Sequence, residues 1–213
     1  MGIYLEKIHG IILQPLNDKG YNFVKSRDIY EKKQGDFKHK IHFFSHKRST
    51  ETAIEMFVYI EHIPTAKIYK KATSFNFLPS TIGNEIGMIE NNDDGKIDNS
   101  FYNDIILESE EDIKNASEEI IDLFTNIAEP YFKRYGDLET IDRILNDNPD
   151  IISVHRNDQY NRYPLGLIVA KLNNRSNYEE LKEKYDILIQ EMSEMYIERY
   201  KQVKEFLKEN YES

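Results

Sequence analysis

The spacing of apolar residues changes once along this chain, and no other feature restricts the fold so strongly. From Tyr21 to about Ile63 apolar positions alternate, as on a half-buried strand; from Ser109 onward they recur every three or four residues, as on an amphipathic helix. Strands in one stretch followed by helices in another predict an α+β fold, with helices gathered on an antiparallel sheet rather than interleaved with parallel strands. The expected order is an N-terminal helix over residues 3–16, an antiparallel β-sheet meander over about residues 21–107, and a helical second half packed on that sheet. At 213 residues the chain suits a single α+β domain spanning 1–213. Within it, a sheet-plus-helix core, 1–150, would be distinguishable from a C-terminal helical hairpin, 151–213.

Residues 21–24, 29–32, 37–44 and 51–63 have the composition of strands. In the last of these, Thr52, Ile54, Met56, Val58 and Ile60 share a side that must be core, while Phe57 and Tyr59 lie on the other, beside Phe44 of the preceding strand. Lys38 and Lys40 share that second side. Phe44, Phe57, Tyr59, Lys38 and Lys40 are therefore the candidate binding residues, on a face that the helical half is expected to cover. Residues 82–89 and 97–107 predict a hairpin closed by Asn92-Asp93-Asp94-Gly95. Ser109 is a helix N-cap, Pro130 should kink or end the helix it opens, and Gly136-Asp137 stops one helix and caps the next. A helix over 164–172 precedes a final one that could run from about Asn177 to Tyr211, roughly 50 Å. Its apolar stripe requires either an antiparallel neighbour or a second copy of the chain, making a homodimer through the C-terminal helix.

No catalytic constellation emerges. With 0 cysteines there is no thiolate nucleophile, disulfide or thiolate metal site. Neither a Gly-x-Ser-x-Gly elbow nor a phosphate-binding glycine motif occurs. His39, His42 and His46 do not suggest a metal site, because strand alternation turns His39 away from the other two, which stand about 13 Å apart. The acidic stretch around Asn92, Asp94 and Gly95 imitates a calcium loop until its twelfth position, Phe101, where a bidentate Glu is required. No metal, cofactor or catalytic residue is predicted. No apolar run approaches the roughly 18 residues of a membrane span, and the N-terminus lacks a signal-peptide pattern, so a cytoplasmic protein without membrane contact is expected.

Charge is unevenly placed. Residues 1–83 hold 13 Lys+Arg against 8 Asp+Glu, a balance of +5, whereas residues 84–150 hold 5 against 19, a balance of -14. A basic front interleaved with aromatic residues suits a single-stranded nucleic acid, and the acidic middle suits a basic protein partner. The leading expectation is a non-enzymatic protein-binding module; nucleic-acid binding through the basic strand face is the alternative, and an enzyme of unrecognised class the third.

Two stretches carry a resemblance: Leu16-Asn17-Asp18-Lys19-Gly20-Tyr21 with Ile29-Tyr30-Glu31-Lys32-Lys33-Gln34-Gly35-Asp36, and Ala128-Glu129-Pro130-Tyr131-Phe132-Lys133-Arg134-Tyr135-Gly136-Asp137-Leu138-Glu139. Over roughly residues 3–172 the chain resembles an uncharacterised bacterial family known as domain of unknown function forty-three-oh-four. The resemblance implies an N-terminal helix, an antiparallel meander and a helical second half, with no catalytic residues to carry over. Related small acidic proteins look like immunity proteins, which neutralise a toxin by binding it. That likeness implies a basic toxin as partner.

Overall fold

In the computed structural model, which describes residues 3–75, 80–90 and 104–211, the strands form one antiparallel sheet in the order β1-β2-β3-β4-β5, with β6 also beside β4. They are β1 (Asn22–Val24), β2 (Ile29–Gln34), β3 (Phe37–Lys47), β4 (Thr52–His62), β5 (Ile82–Glu85) and β6 (Ile105–Leu107). The expected α+β class and element order hold. Gly35, at φ 58, turns β2 into β3 through a two-residue loop. β3 and β4 then pair along their whole length, from Phe37 opposite His62 to Lys47 opposite Thr52.

Among the described residues, 82–85 and 105–107 do not pair with each other as a hairpin between 82–89 and 97–107 requires. β5 pairs with β4 along Phe57–Ile60 and β6 pairs with it along Thr52–Ile54, so the two lie end to end on one edge. Residues Ile86–Glu90 are helix α3, and the loop expected to close the hairpin lies outside the described residues. The long, alternately apolar β4 offers each short segment an edge on which Ile82, Ile105 and Leu107 become buried.

Helix α1 (Ile3–Asp18) runs past Pro15 and closes at Gly20, whose φ of 86 lets Tyr21 N–H donate back to the Leu16 carbonyl at 3.0 Å. Helix α2 (Ile63–Thr73) was not legible, because Pro64 looks like a breaker although at the first helical position it favours a start. Ser109 caps as expected: its hydroxyl accepts from Glu111 N–H and the Asp112 carboxylate reaches back to Ser109 N–H. The following helix, α4 (Ile113–Leu123), widens into a π turn over Phe124–Ala128 and continues as α5 (Glu129–Arg134). The wide turn comes directly before Pro130, which has no N–H to give, so the chain bends there without stopping. Asp137 then caps α6 (Leu138–Asn146) by accepting from Thr140 N–H at 2.8 Å.

Helix α7 (Gln159–Leu172) starts earlier than expected and is buried all the way from Arg162 to Ala170. The single rod expected over 177–211 is instead two helices, α8 (Tyr178–Leu188) and α9 (Glu194–Tyr211), separated by a tight turn and an extended Met192 at ψ 168. Folding back allows Tyr200, Val203 and Leu207 of α9 to enter a cluster with α2 and α7. Each such side chain contributes roughly 1.5–3 kcal/mol on burial, enough to outweigh breaking the rod. Leu181 and Tyr185 of the apolar stripe that suggested a homodimer are thus buried within the chain, while Met195 is exposed.

Two clusters make the core. The first joins Ile41, Phe43, Ile54, Met56, Val58 and Ile60 of the sheet to Leu5, Ile8 and Ile12 of α1 and to Ile113, Ala116 and Ile120 of α4. The second gathers α7, α8 and α9 with Ile68 and Tyr69 of α2. Helix α2 packs with the C-terminal helices, and Val169 of α7 packs with the sheet. Among the described residues no helix is long and apolar enough to cross a membrane.

Candidate binding groove

Helices α1 and α4 cover only one side of the sheet. On the other side, where helical cover was expected, a groove of about 1010 Å³ remains. Its floor is the alternate set of strand residues: Lys38, Lys40, His42 and Phe44 of β3, Phe57, Tyr59 and Glu61 of β4, Ile29 of β2 and Gly83 of β5. All five sequence-predicted residues therefore come together in one concavity. Strand register explains this, since Lys40 lies opposite Tyr59 and His42 opposite Phe57.

One wall was not legible in the sequence. It consists of Ser80 and of Arg156, Asn157, Asp158, Tyr160 and Asn161, which lead into α7. Backbone and side chain bind it to the sheet: Gly83 N–H donates to the His155 carbonyl at 2.7 Å, the Asn84 amide donates to the Val154 carbonyl at 2.8 Å, and Arg156 donates to the Ser80 carbonyl at 2.7 Å. Arg156 is also paired with Asp158. These residues are some seventy positions from the strands, in a loop without periodicity, so no local signal could place them.

Flat rings run in series along the floor. His42 and Phe44 lie 4.0 Å apart, Phe44 meets Phe57 edge-on at 5.2 Å, and Phe57 stacks with Tyr59 at 5.9 Å and 14°. Phe44 is 39% exposed. Burial pushes the Tyr59 hydroxyl up to about 12, so it remains protonated at neutral pH. Burial also pulls the His42 imidazole down, favouring its neutral form.

The groove's charge is opposite in sign to the chain's total of -10. Arg27, Lys38, Lys40 and Arg156 line it against Glu61 and Asp158. Lys40 and Glu61 form a nearly buried ion pair, Arg27 reaches Glu31 at 3.0 Å, and Lys38 has no carboxylate partner among the described residues. The acidic residues Glu110, Glu111, Glu118 and Asp122 are exposed around α4, across the sheet from the groove. At a screening length of about 8 Å the sheet layer separates the two fields.

The three histidines do not converge. His39 turns to the core side and stacks on Phe132 at 4.5 Å, while His46 reaches Glu55 at 3.3 Å.

At the strand end beside Phe57, Glu85 is only 2% exposed and its Oε1 has no hydrogen-bond partner among the described residues. Burial pushes its carboxyl up to about 7, with repulsion from Glu55 and Asp104 adding to the effect. The folded state then holds this proton more tightly than the unfolded chain, so its contribution to stability declines as pH rises from about 4.5 through 7. Glu85→Gln is expected to be more stable than the parent by about 1–2 kcal/mol above pH 7 and to lose that advantage near pH 5. Urea midpoints measured across this range check it; a difference that ignores pH contradicts it.

Comparison with protein-family models, with curated proteins and with solved structures returns no match.

Proposed function

We propose that this chain is a non-enzymatic binding protein whose groove holds a single-stranded nucleic acid. The observation that carries this is the conjunction, in one concavity of an acidic protein, of a series of flat rings with a surplus of cations. Unpaired bases stack on aromatic rings whatever their sequence, and phosphates seek Lys and Arg. Glu61 on the floor orients Lys40 and Asp158 on the wall orients Arg156, without cancelling Lys38. Glu61 and Asp158 limit affinity, and the salt dependence follows from the phosphates that the remaining cations neutralise.

Fluorescence anisotropy of a labelled oligothymidine tests this. Binding is expected at low ionic strength and should fall with salt at a slope of about -0.7 per phosphate contacted. Phe57→Ala and Tyr59→Ala should each cost about 1–3 kcal/mol of affinity. Lys38→Glu should flatten the salt slope. Absence of binding at low salt overturns the proposal.

A protein partner of immunity type is supported by a different observation, the exposed carboxylates around α4 on the far side of the sheet. A basic toxin would meet that surface through charge complementarity. Reversing Glu118 and Asp122 to Lys would abolish such binding and leave oligonucleotide binding intact.

A further inference from the structure

The rings and cations do not end at the groove's wall. Tyr160, which lines the groove, stacks on Tyr196 of α9 at 4.2 Å and 20°. Arg199, one helical turn further along α9, places its guanidinium 5.5 Å from the Tyr196 ring and 4.0 Å from that of Phe75. Phe75 is 37% exposed, and Tyr196 and Arg199 are each half-buried. Arg199 has no carboxylate partner among the described residues. Its neighbour Glu198 is hydrogen-bonded to Gln202 instead.

Arg199 also bonds the hydroxyl of the buried Tyr69, which anchors one end of this pile in the helical core. Its outer members, the half-buried Tyr160 and Tyr196 and the exposed Phe75, continue the groove's chemistry from the strands onto the helical half. A single nucleotide could be satisfied by the groove alone. Only a polymer gains from flat, cationic stations arranged one after another.

We infer that the ligand is a strand several nucleotides long, which stacks first on the Phe44–Phe57–Tyr59 floor and then on a second station formed by Tyr160, Tyr196 and Arg199. The inference rests on the groove being the nucleic-acid site, and it adds the length of the ligand and the path it follows. Arg199 meets a phosphate or the face of a base, and Tyr196 supplies the ring on which a base is laid. The strip also spans the two core clusters, so a bound strand holds α9 and the sheet in one arrangement.

Anisotropy with oligothymidines of roughly three and roughly twelve nucleotides separates the two claims, these lengths falling below and within the span of common single-strand sites. The longer strand is expected to bind the parent protein more tightly. Tyr196→Ala and Arg199→Ala should weaken the longer strand about 5- to 30-fold and leave the shorter unchanged, while Tyr196→Phe, which keeps the ring, should retain affinity. Urea midpoints of the variants identify any loss that is merely unfolding. Equal affinities for both lengths, or variants that leave the longer strand unaffected, overturn the second station while the groove stands. Failure of both strands to bind the parent overturns the groove itself.

Discussion

Replacing Arg162 with leucine is expected to destabilise the protein by about 2–5 kcal/mol, lowering its melting temperature by roughly 5 °C or more. Arg162 is 1% exposed and among the largest fully buried side chains. Burial pulls its guanidinium down, and no carboxylate forms an ion pair with it among the described residues. Carbonyl oxygens take that role: Leu145 accepts at 2.9 Å, Asn148 at 3.1 Å, Ile144 at 3.3 Å, and Ile151 accepts as well. Ile144 and Leu145 are in the last turn of α6, where carbonyls have no partner within the helix and carry the negative end of its dipole. One planar fork therefore closes a helix end and the loop that follows it. Leucine removes the donor from the Ile144 and Ile151 carbonyls, at roughly 1–3 kcal/mol apiece, whereas Leu145 keeps the Tyr185 hydroxyl at 3.1 Å and Asn148 keeps the Ile151 N–H at 3.1 Å. Lysine keeps a charge but cannot reach acceptors spread around a fork, so Arg162→Lys should recover only part of the loss. Chemical denaturation of both variants checks this, and a loss below about 1 kcal/mol for leucine contradicts it.

Gly83→Ala should cost about 3 kcal/mol or more and also remove oligonucleotide binding. Gly83 sits at φ 137, a conformation that glycine alone adopts readily. A Cβ there would lie 2.2 Å from the Val58 carbonyl oxygen and 2.6 Å from Tyr59 Cα, both backbone atoms of the neighbouring strand, and 2.7 Å from the Tyr59 ring. Nothing flexible can yield. β5 would have to part from β4, breaking the Gly83–His155 hydrogen bond that ties the wall to the floor and turning Tyr59 out of the groove. Gly35→Ala is the matched control: at φ 58 in an open loop with nothing within 4 Å, it should cost only about 1 kcal/mol and leave binding unchanged. Equal effects of the two substitutions contradict the close approach described here.

Strand alternation made the sheet and its faces legible. The run from Thr52 to Ile60 specifies its own register of inside and outside, and with β3 beside it the floor residues follow. Ser109 and Asp137 were legible because a cap acts over three residues. The features that escaped detection depend on distance or competition. Whether 82–85 pairs with 105–107 or with β4 is decided by which edge buries more, and no local pattern records that. The break at Met192 interrupts a sequence of good helical periodicity because α9 gains more by packing on α7 than by extending α8. Pro64 starts a helix where its type suggests a break, whereas Pro130 follows a widened turn in a helix that continues past it. The groove's wall, and with it the concavity, exists only because 156–161 returns to strands far earlier in the chain.

Photo-crosslinking of a 4-thiothymidine oligonucleotide to the full chain, with the attached peptides identified by mass spectrometry, tests the central claim most directly. Adducts on β3, β4 and the start of α7, at or beside Phe44, Phe57, Tyr59 and Tyr160, are the predicted result. Adducts confined to the surface around α4, or adducts unchanged by Phe57→Ala and Tyr59→Ala, would contradict it.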